Sequence, residues 1–68
     1  MKVELVKDKD GYTAKIAGRK NLFGFGLTKI EALEELAGVV ELELDSPKEI
    51  SQIEKKIAEH IHKLEDAD

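Results

Sequence analysis

The chain has 68 residues, no cysteine and a formal net charge of −4. A single domain of this length lies near the lower limit for a self-sufficient hydrophobic core. Without cysteine, neither a disulfide framework nor a thiolate metal site can support it. No apolar run approaches the roughly 20 residues that a membrane-spanning helix needs, and the start of the chain has no signal-peptide hydrophobic segment. We therefore expect one soluble, cytoplasmic domain over residues 1–68, stabilised by helix packing or by self-association.

Charge is distributed unevenly along the chain. Residues 1–29 hold seven basic and three acidic side chains, which gives +4, whereas residues 30–68 hold four basic and twelve acidic ones, which gives −8. This polarity suits docking to a charged partner or head-to-tail self-association. A mixed, solubilising surface is the alternative interpretation. The acidic total disfavours nucleic acid as the main ligand, because neutralising phosphates requires clustered cations.

Alternating apolar residues predict a β-hairpin at the start of the chain. Residues 2–7 place Val3 and Leu5 on one face of a strand, and residues 12–17 resume the alternation. Between them, residues 8–11 read Asp-Lys-Asp-Gly, which are typical turn residues. A second turn over residues 18–21 and a third short strand over residues 22–26 are expected to follow. Two glycines in that third strand permit the close approach of another backbone, or a bulge.

A first helix is predicted to begin at Thr28, because Thr28 and Glu31 form a capping box. Apolar residues then recur every three or four positions, at Ile30, Leu33, Leu36, Ala37, Val40 and Leu44. Gly38 allows two interpretations. The helix either continues through it, at a cost of about 1 kcal/mol relative to alanine, or ends there and residues 39–44 form a fourth strand. The uninterrupted stripe favours the long helix, so the predicted order is β-β-β-α-α, with β-β-β-α-β-α as the alternative.

A second helix is predicted over residues 46–66. It opens with a capping box formed by Ser46 and Glu49, and a proline stands at the first helical position. Its apolar residues form a narrow stripe of Ile50, Ile53, Ile57, Ile61 and Leu64. This stripe needs cover, for which Val39 and Leu42 of the first helix are candidates. The second helix either folds back over the domain or pairs with its counterpart in a homodimer, and the small size of the domain favours the homodimer.

The order of short motifs along residues 2–44 is similar to that of a known family. The sequence Gly11-Tyr12-Thr13-Ala14, a turn, Leu22-Phe23 and Gly26 precede Thr28-x-x-Glu31-Ala32-Leu33-Glu34-x-Leu36. This succession resembles the HicB-like antitoxin domain. Two features depart from the family pattern. Arg19-Lys20-Asn21 stands where the family usually has Leu-Pro-Gly, and a single helix follows where family antitoxins often carry a DNA-binding domain.

The resemblance implies a fold and a function. The expected fold is α+β, a truncated ribonuclease-H-like sheet of three antiparallel strands with a helix on one face, in which residues 1–44 form the HicB-like core. The expected function is that of a non-enzymatic module that masks a small basic ribonuclease toxin of the HicA type. The candidate docking residues on the acidic side of the first helix are Glu31, Glu34, Glu35 and Glu41. A solvated helix face is the alternative interpretation of these glutamates.

A different class of function is a small structural or nucleic-acid-associated homodimer, which would use the basic hairpin residues Lys15, Arg19 and Lys20. Tyr12 and Phe25 are interpreted as packing residues rather than as a platform for bases. No catalytic, cofactor or metal site is predicted, because no nucleophile, base and oxyanion donors can be assembled. The only two histidines, His60 and His62, point about 200° apart on a helix and cannot share a metal ion.

Overall fold

A computed structural model describes residues 2–65 of the chain. Three strands are followed by two helices: β1 (Val3–Lys7), β2 (Tyr12–Ile16), β3 (Arg19–Gly26), α1 (Lys29–Glu43) and α2 (Pro47–Glu65). The strands form one antiparallel sheet in the order β1-β2-β3, so β2 is central and the other two are edge strands. The predicted α+β fold with the order β-β-β-α-α is confirmed. Neither helix in this part of the chain is long and apolar enough to cross a membrane.

The two hairpin turns differ in length. In the first, the Asp8 amide donates to the Gly11 carbonyl at 2.7 Å, in agreement with the predicted turn. The second consists of two residues, of which Gly18 has a φ of 84°, a left-handed angle that glycine adopts without steric cost. The predicted turn over residues 18–21 was therefore too long, because Arg19 already pairs with Ile16. The sheet register shifts at this point, so residues 20–22 belong to an irregular start of β3.

The start of α1 follows the capping rule with a shift of one residue. The Glu31 amide donates to Thr28 Oγ1 at 3.1 Å, and the Glu31 carboxylate accepts from the Leu27 amide at 3.2 Å, one residue before the expected donor. The helix passes through Gly38 and ends at Glu43. The alternative fourth strand over residues 39–44 is wrong, because a strand would have buried Leu42, whose side chain is 84% exposed.

The start of α2 is fixed by a cap and by an ion pair. The Glu49 amide donates to Ser46 Oγ at 3.3 Å, and the helix begins at Pro47 as predicted. The Glu49 carboxylate does not close the capping box; it accepts from the Arg19 guanidinium, with Nη2 and Oε2 2.6 Å apart. This pair ties the first turn of α2 to the first residue of β3. Residue 66, the predicted last residue of the helix, lies outside the described residues.

Both helices bury their apolar sides in one cluster with the inner face of the sheet. Helix α1 lies mainly on β3, and α2 packs against α1 and the edge strand β1. The buried side chains are Ala14, Ile16, Leu22, Ala32, Leu33, Leu36, Val40, Ile53 and Ile57. The outer face of the sheet keeps exposed apolar residues, with Val6 44% exposed. The fold is thus a sheet with helical cover on one side.

Candidate docking surfaces

Strand β3 alternates phenylalanine and glycine, and the two residue types face opposite sides of the sheet. Gly24 and Gly26 are buried beneath α1, whereas Phe23 and Phe25 are 55% and 47% exposed on the outer face. A Cβ added at Gly24 would lie 2.4 Å from the Leu36 amide nitrogen, which no real contact allows. The glycines therefore let the backbone of α1 approach the strand closely. As a result, the largest side chains of β3 are on the side without helices.

The neighbours of the two phenylalanines complete the outer face. Across the sheet, Phe23 pairs with Lys15 and Phe25 pairs with Thr13. Val6 and Glu4 on β1 lie opposite Thr13 and Lys15 in turn. We call this set the aromatic face: Glu4, Val6, Thr13, Lys15, Phe23 and Phe25. It combines two exposed rings with one lysine and one glutamate, an arrangement that suits contact with flat or apolar groups.

A shallow groove of about 510 Å³ lies at the hairpin end of the aromatic face, and Lys15, Lys20 and Phe23 are among its lining residues. Both lysines are exposed. Arg19 also borders the groove, but its guanidinium is held by Glu49. Of the three basic residues predicted for nucleic-acid contact, two are thus placed beside Phe23, while Arg19 has a structural partner on α2.

Tyr12 lies on the inner side of the sheet, away from the exposed phenylalanines. It is partly buried against the core cluster. The Lys7 ammonium lies 4.9 Å from the centre of its ring and the Lys29 ammonium 5.8 Å, distances at which cation–π attraction operates. Its interpretation as a packing residue agrees with this position. Phe25, for which packing in the core or on a sheet face was expected, lies on the outer sheet face and is half exposed.

The fold separates the charges that the sequence places in its two halves. The three strands hold four basic side chains and one acidic one, whereas α1 holds five acidic side chains and one basic one. Because α1 covers the inner face of the sheet, the exposed side of α1 and the aromatic face lie on opposite sides of the molecule. Of the four strand cations, Lys7 lies over Tyr12 and Arg19 pairs with Glu49. The aromatic face therefore has Lys15 and Lys20 beside one glutamate, Glu4, whereas the opposite side of the molecule is acidic.

The exposed side of α1 carries a second candidate surface, which we call the acidic ridge: Glu31, Glu34, Glu35, Gly38 and Leu42. All five residues are exposed, and spacings of three, four or seven residues bring them to one side of the helix. Leu42 is an apolar side chain at the end of this carboxylate-lined strip. A Cβ built at Gly38 has no atom within 4 Å, so the helix surface is open between Leu42 and the glutamates.

Glu41 was predicted as a docking residue together with these glutamates, and it is also exposed. Its carboxyl group additionally faces that of Glu54 on α2. A hydrogen bond with Glu41 raises the pKa of Glu54 above its ordinary value of 4.5, and partial desolvation and the repulsion of like charges act in the same direction. Glu41 thus lies at the border between the acidic ridge and the contact of the two helices.

The isoleucine stripe of α2 is covered within one chain. Ile53 and Ile57 are fully or almost fully buried, and Ile50, Ile61 and Leu64 are partly buried against the same core. On α1, Val39 packs against the core but Leu42 does not. Within one chain, Leu42 therefore does not cover the stripe, and its predicted role at a dimer contact stays a prediction. The need for cover that favoured a homodimer is met because α2 folds back over α1.

The two histidines occupy different environments on α2. His60 is partly exposed beside Lys2 and Val3 of the first strand region, and His62 is exposed. Among residues 2–65, no three histidine, cysteine, aspartate or glutamate side chains are grouped closely enough to hold a metal ion.

The aromatic face is the feature that sequence reasoning missed. Its signal was the alternation of Phe23 and Phe25 with two glycines, which already places both rings on one side of a strand. The missing information was which side the helix would cover. No protein-family model, curated protein or solved structure matches this chain. The resemblance of residues 2–44 to HicB-like domains therefore stays a prediction.

Proposed function

We propose that the protein is a non-enzymatic binding module that masks a small basic protein, in the manner expected of a HicB-like antitoxin and its ribonuclease toxin. The partner docks on the acidic ridge. Its cations pair with Glu31, Glu34 and Glu35, while an apolar side chain packs on Leu42. Masking by occlusion requires a docking surface rather than a catalytic group. Helix α1, with 15 residues, is about 22 Å long and provides such a surface.

One observation carries the proposal: Leu42 is 84% exposed on the same side of α1 as three exposed glutamates. An apolar side chain bordered by charged residues is compatible with the apolar core and polar rim of protein–protein interfaces. Gly38 adds to it, because an exposed glycine inside a helix costs about 1 kcal/mol relative to alanine. Nothing in the fold requires a glycine there, whereas a partner that lies flat against the helix backbone would.

The proposal is tested by co-expression with a HicA-like ribonuclease encoded beside this chain. We expect the wild-type protein to relieve growth arrest and to co-purify with the ribonuclease. The double variant Glu34→Lys/Glu35→Lys replaces attraction by repulsion and is expected to weaken binding at least about tenfold. Leu42→Asp removes the apolar anchor and is expected to have a similar effect.

A matched control is provided by Glu59→Lys/Glu65→Lys, which makes the same change in net charge at two exposed positions of α2. This control should bind and protect like the wild type. Equal protection by the ridge variants, with the ribonuclease still bound, would contradict docking on α1. Loss of binding with the α2 control but not with the ridge variants would move the interface to α2.

A further inference from the structure

The aromatic face differs chemically from the acidic ridge and therefore suits a different ligand. Two phenylalanine rings, two residues apart on one strand, stand half exposed on a surface that neither helix of the described residues 2–65 covers. Solvent contact of this much aromatic surface is unfavourable, since each ring has a large apolar area. The chemistry of the surrounding residues indicates what would cover the rings.

Two lysines and one glutamate flank the rings on this side of the molecule. Lys15 is the cross-strand neighbour of Phe23, and Lys20 lines the same groove. Glu4, the only acidic residue of the three strands, lies opposite Lys15 and lines the same groove, so the lysines exceed it by one. The excess of acidic residues that counts against a polyanion in the whole sequence is concentrated on α1, behind the sheet. Locally, then, the aromatic face suits a ligand that is anionic and offers flat apolar surfaces.

The spacing of the two rings further restricts the class of ligand that fits this face. Residues i and i+2 of a strand lie about 6.6–6.8 Å apart, a separation at which two successive unstacked bases of an extended strand can each lie on one ring. The sequence Phe23-Gly24-Phe25 also matches the aromatic–glycine–aromatic centre of the sheet motif with which RNA-recognition modules stack bases. In this chain the glycine faces the helix side and the rings face outward.

We propose that the aromatic face binds single-stranded nucleic acid. Two successive bases stack on Phe23 and Phe25, and Lys15 and Lys20 neutralise the phosphates that flank them. The surface recognises strands without strong sequence preference, because stacking is available to every base. This site lies on the opposite side of the molecule from the acidic ridge, so its failure and the failure of the proposed docking function are distinguishable.

The test is fluorescence anisotropy with a labelled uridine octamer and a labelled thymidine octamer on the full chain. An abasic octamer of the same length and charge reports the purely electrostatic contribution. We expect both base-bearing strands to bind more tightly than the abasic strand. Tighter binding of the uridine strand assigns the site to RNA, and tighter binding of the thymidine strand assigns it to single-stranded DNA.

Three double variants separate stacking from general apolar contact. Phe23→Tyr/Phe25→Tyr keeps the rings and should bind like the wild type. Phe23→Leu/Phe25→Leu keeps the apolar character without the rings and should bind no better than Phe23→Ala/Phe25→Ala. Each lost stacked base should weaken binding at least about fivefold. Lys15→Gln/Lys20→Gln should reduce the slope of log affinity against log salt by about 1.4, as expected for two phosphate contacts on a single strand.

Three results would overturn the proposal. One is equal binding of the abasic and base-bearing strands, or no binding of any strand. Another is wild-type affinity in the leucine variant, which would indicate an apolar protein surface as the occupant. The third is concentration-dependent self-association of the wild type that the alanine variant abolishes, which would show that a second copy covers the face. Circular dichroism of every variant verifies that the fold is retained.

Discussion

Two apolar segments of this chain differ in how far they are buried, and the difference shows how the helices are placed on the sheet. The isoleucine stripe of α2 is buried in the core through Ile53 and Ile57. The phenylalanines of β3 remain half exposed, although each ring is larger than an isoleucine side chain. Burial in this protein therefore follows the geometry of the helix layer rather than the hydrophobicity of the residues.

The cause of this difference lies in the two glycines of β3. Because Gly24 and Gly26 face α1, the helix packs directly on the strand backbone, and Phe23 and Phe25 point away from it. Helix α2 then closes the remaining side of the core beside β1. The stripe of α2 is structural, and the aromatic face is the surface that we propose for binding. The following predictions test this division.

The largest effect is expected from placing a charge in the stripe. Ile53→Asp puts a carboxylate at a site with no solvent exposure, and burying an unpaired charge costs more than about 4 kcal/mol. A domain of this size has roughly 3–10 kcal/mol of stability in total. We expect the cooperative thermal transition measured by circular dichroism to disappear.

Leu42→Asp is the matched control, because it makes the same chemical change at an exposed apolar residue of the neighbouring helix. Its melting curve should stay close to that of the wild type. A folded Ile53→Asp variant with an unchanged transition would show that the stripe is not part of the core.

The next effect concerns the contact between β3 and α1. Gly24→Ala introduces a methyl group 2.4 Å from backbone atoms of α1, and overpacking of this kind costs about 1–3 kcal/mol. Gly38→Ala is the paired substitution in open space on α1 and should stabilise the free protein by about 1 kcal/mol. Urea denaturation of the two variants should therefore shift the midpoint in opposite directions. Equal shifts would contradict the close approach of helix and strand.

A smaller effect is expected on the aromatic face. Phe23→Ser and Phe25→Ser remove half-exposed rings from the outer sheet face, so each should lower the free energy of unfolding by less than about 1 kcal/mol. Denaturant titration measures this change. A loss of unfolding free energy as large as that of a core substitution would mean that the rings stabilise the fold. It would count against the proposal that they bind a ligand.

The smallest effect is a change in pH dependence at the contact of the two helices. The raised pKa of Glu54 means that its protonated form is favoured in the folded state. The stabilising contribution is therefore present below the pKa of the unfolded chain and is lost as the pH rises through the higher pKa of the folded state.

Glu54→Gln should consequently be at least as stable as the wild type at neutral pH, and the wild type should gain on it as the pH falls toward 4.5. Melting temperatures across this range measure the difference. Glu59→Gln removes the same charge on α2 away from Glu41 and is the control. Parallel pH profiles of the wild type and Glu54→Gln would argue against the contact between the two carboxyl groups.

The sequence predicts the positions of the helices and strands better than it predicts how they pair and pack against one another. Thr28 and Pro47 mark the helix starts because capping depends on neighbouring residues alone, and the stripe through Val40 correctly predicts a helix that passes Gly38. The length of the second turn escapes prediction, since it depends on a register shift between β2 and β3. Periodicity also cannot tell whether a stripe is covered by its own chain or by another, so the homodimer expected through α2 stays a prediction.

The candidate surfaces follow the same rule. The glutamates of α1 are recognisable as an exposed helix side from their spacing, but the exposure of Leu42 depends on where α2 lies. That Phe23 and Phe25 lie on the same face of β3 follows from the alternation along the strand alone. Which face of the sheet the helices leave open depends on the whole fold.

The central claim, that α2 closes the core of its own chain, is tested most directly by isotope-filtered NMR. In a sample that mixes labelled and unlabelled protein, nuclear Overhauser contacts of the Ile53 and Ile57 methyl groups with core residues of α1 can be separated into intramolecular and intermolecular ones. We predict that all of them are intramolecular. Intermolecular contacts at these methyl groups would contradict the account and would make α2 the interface of a homodimer.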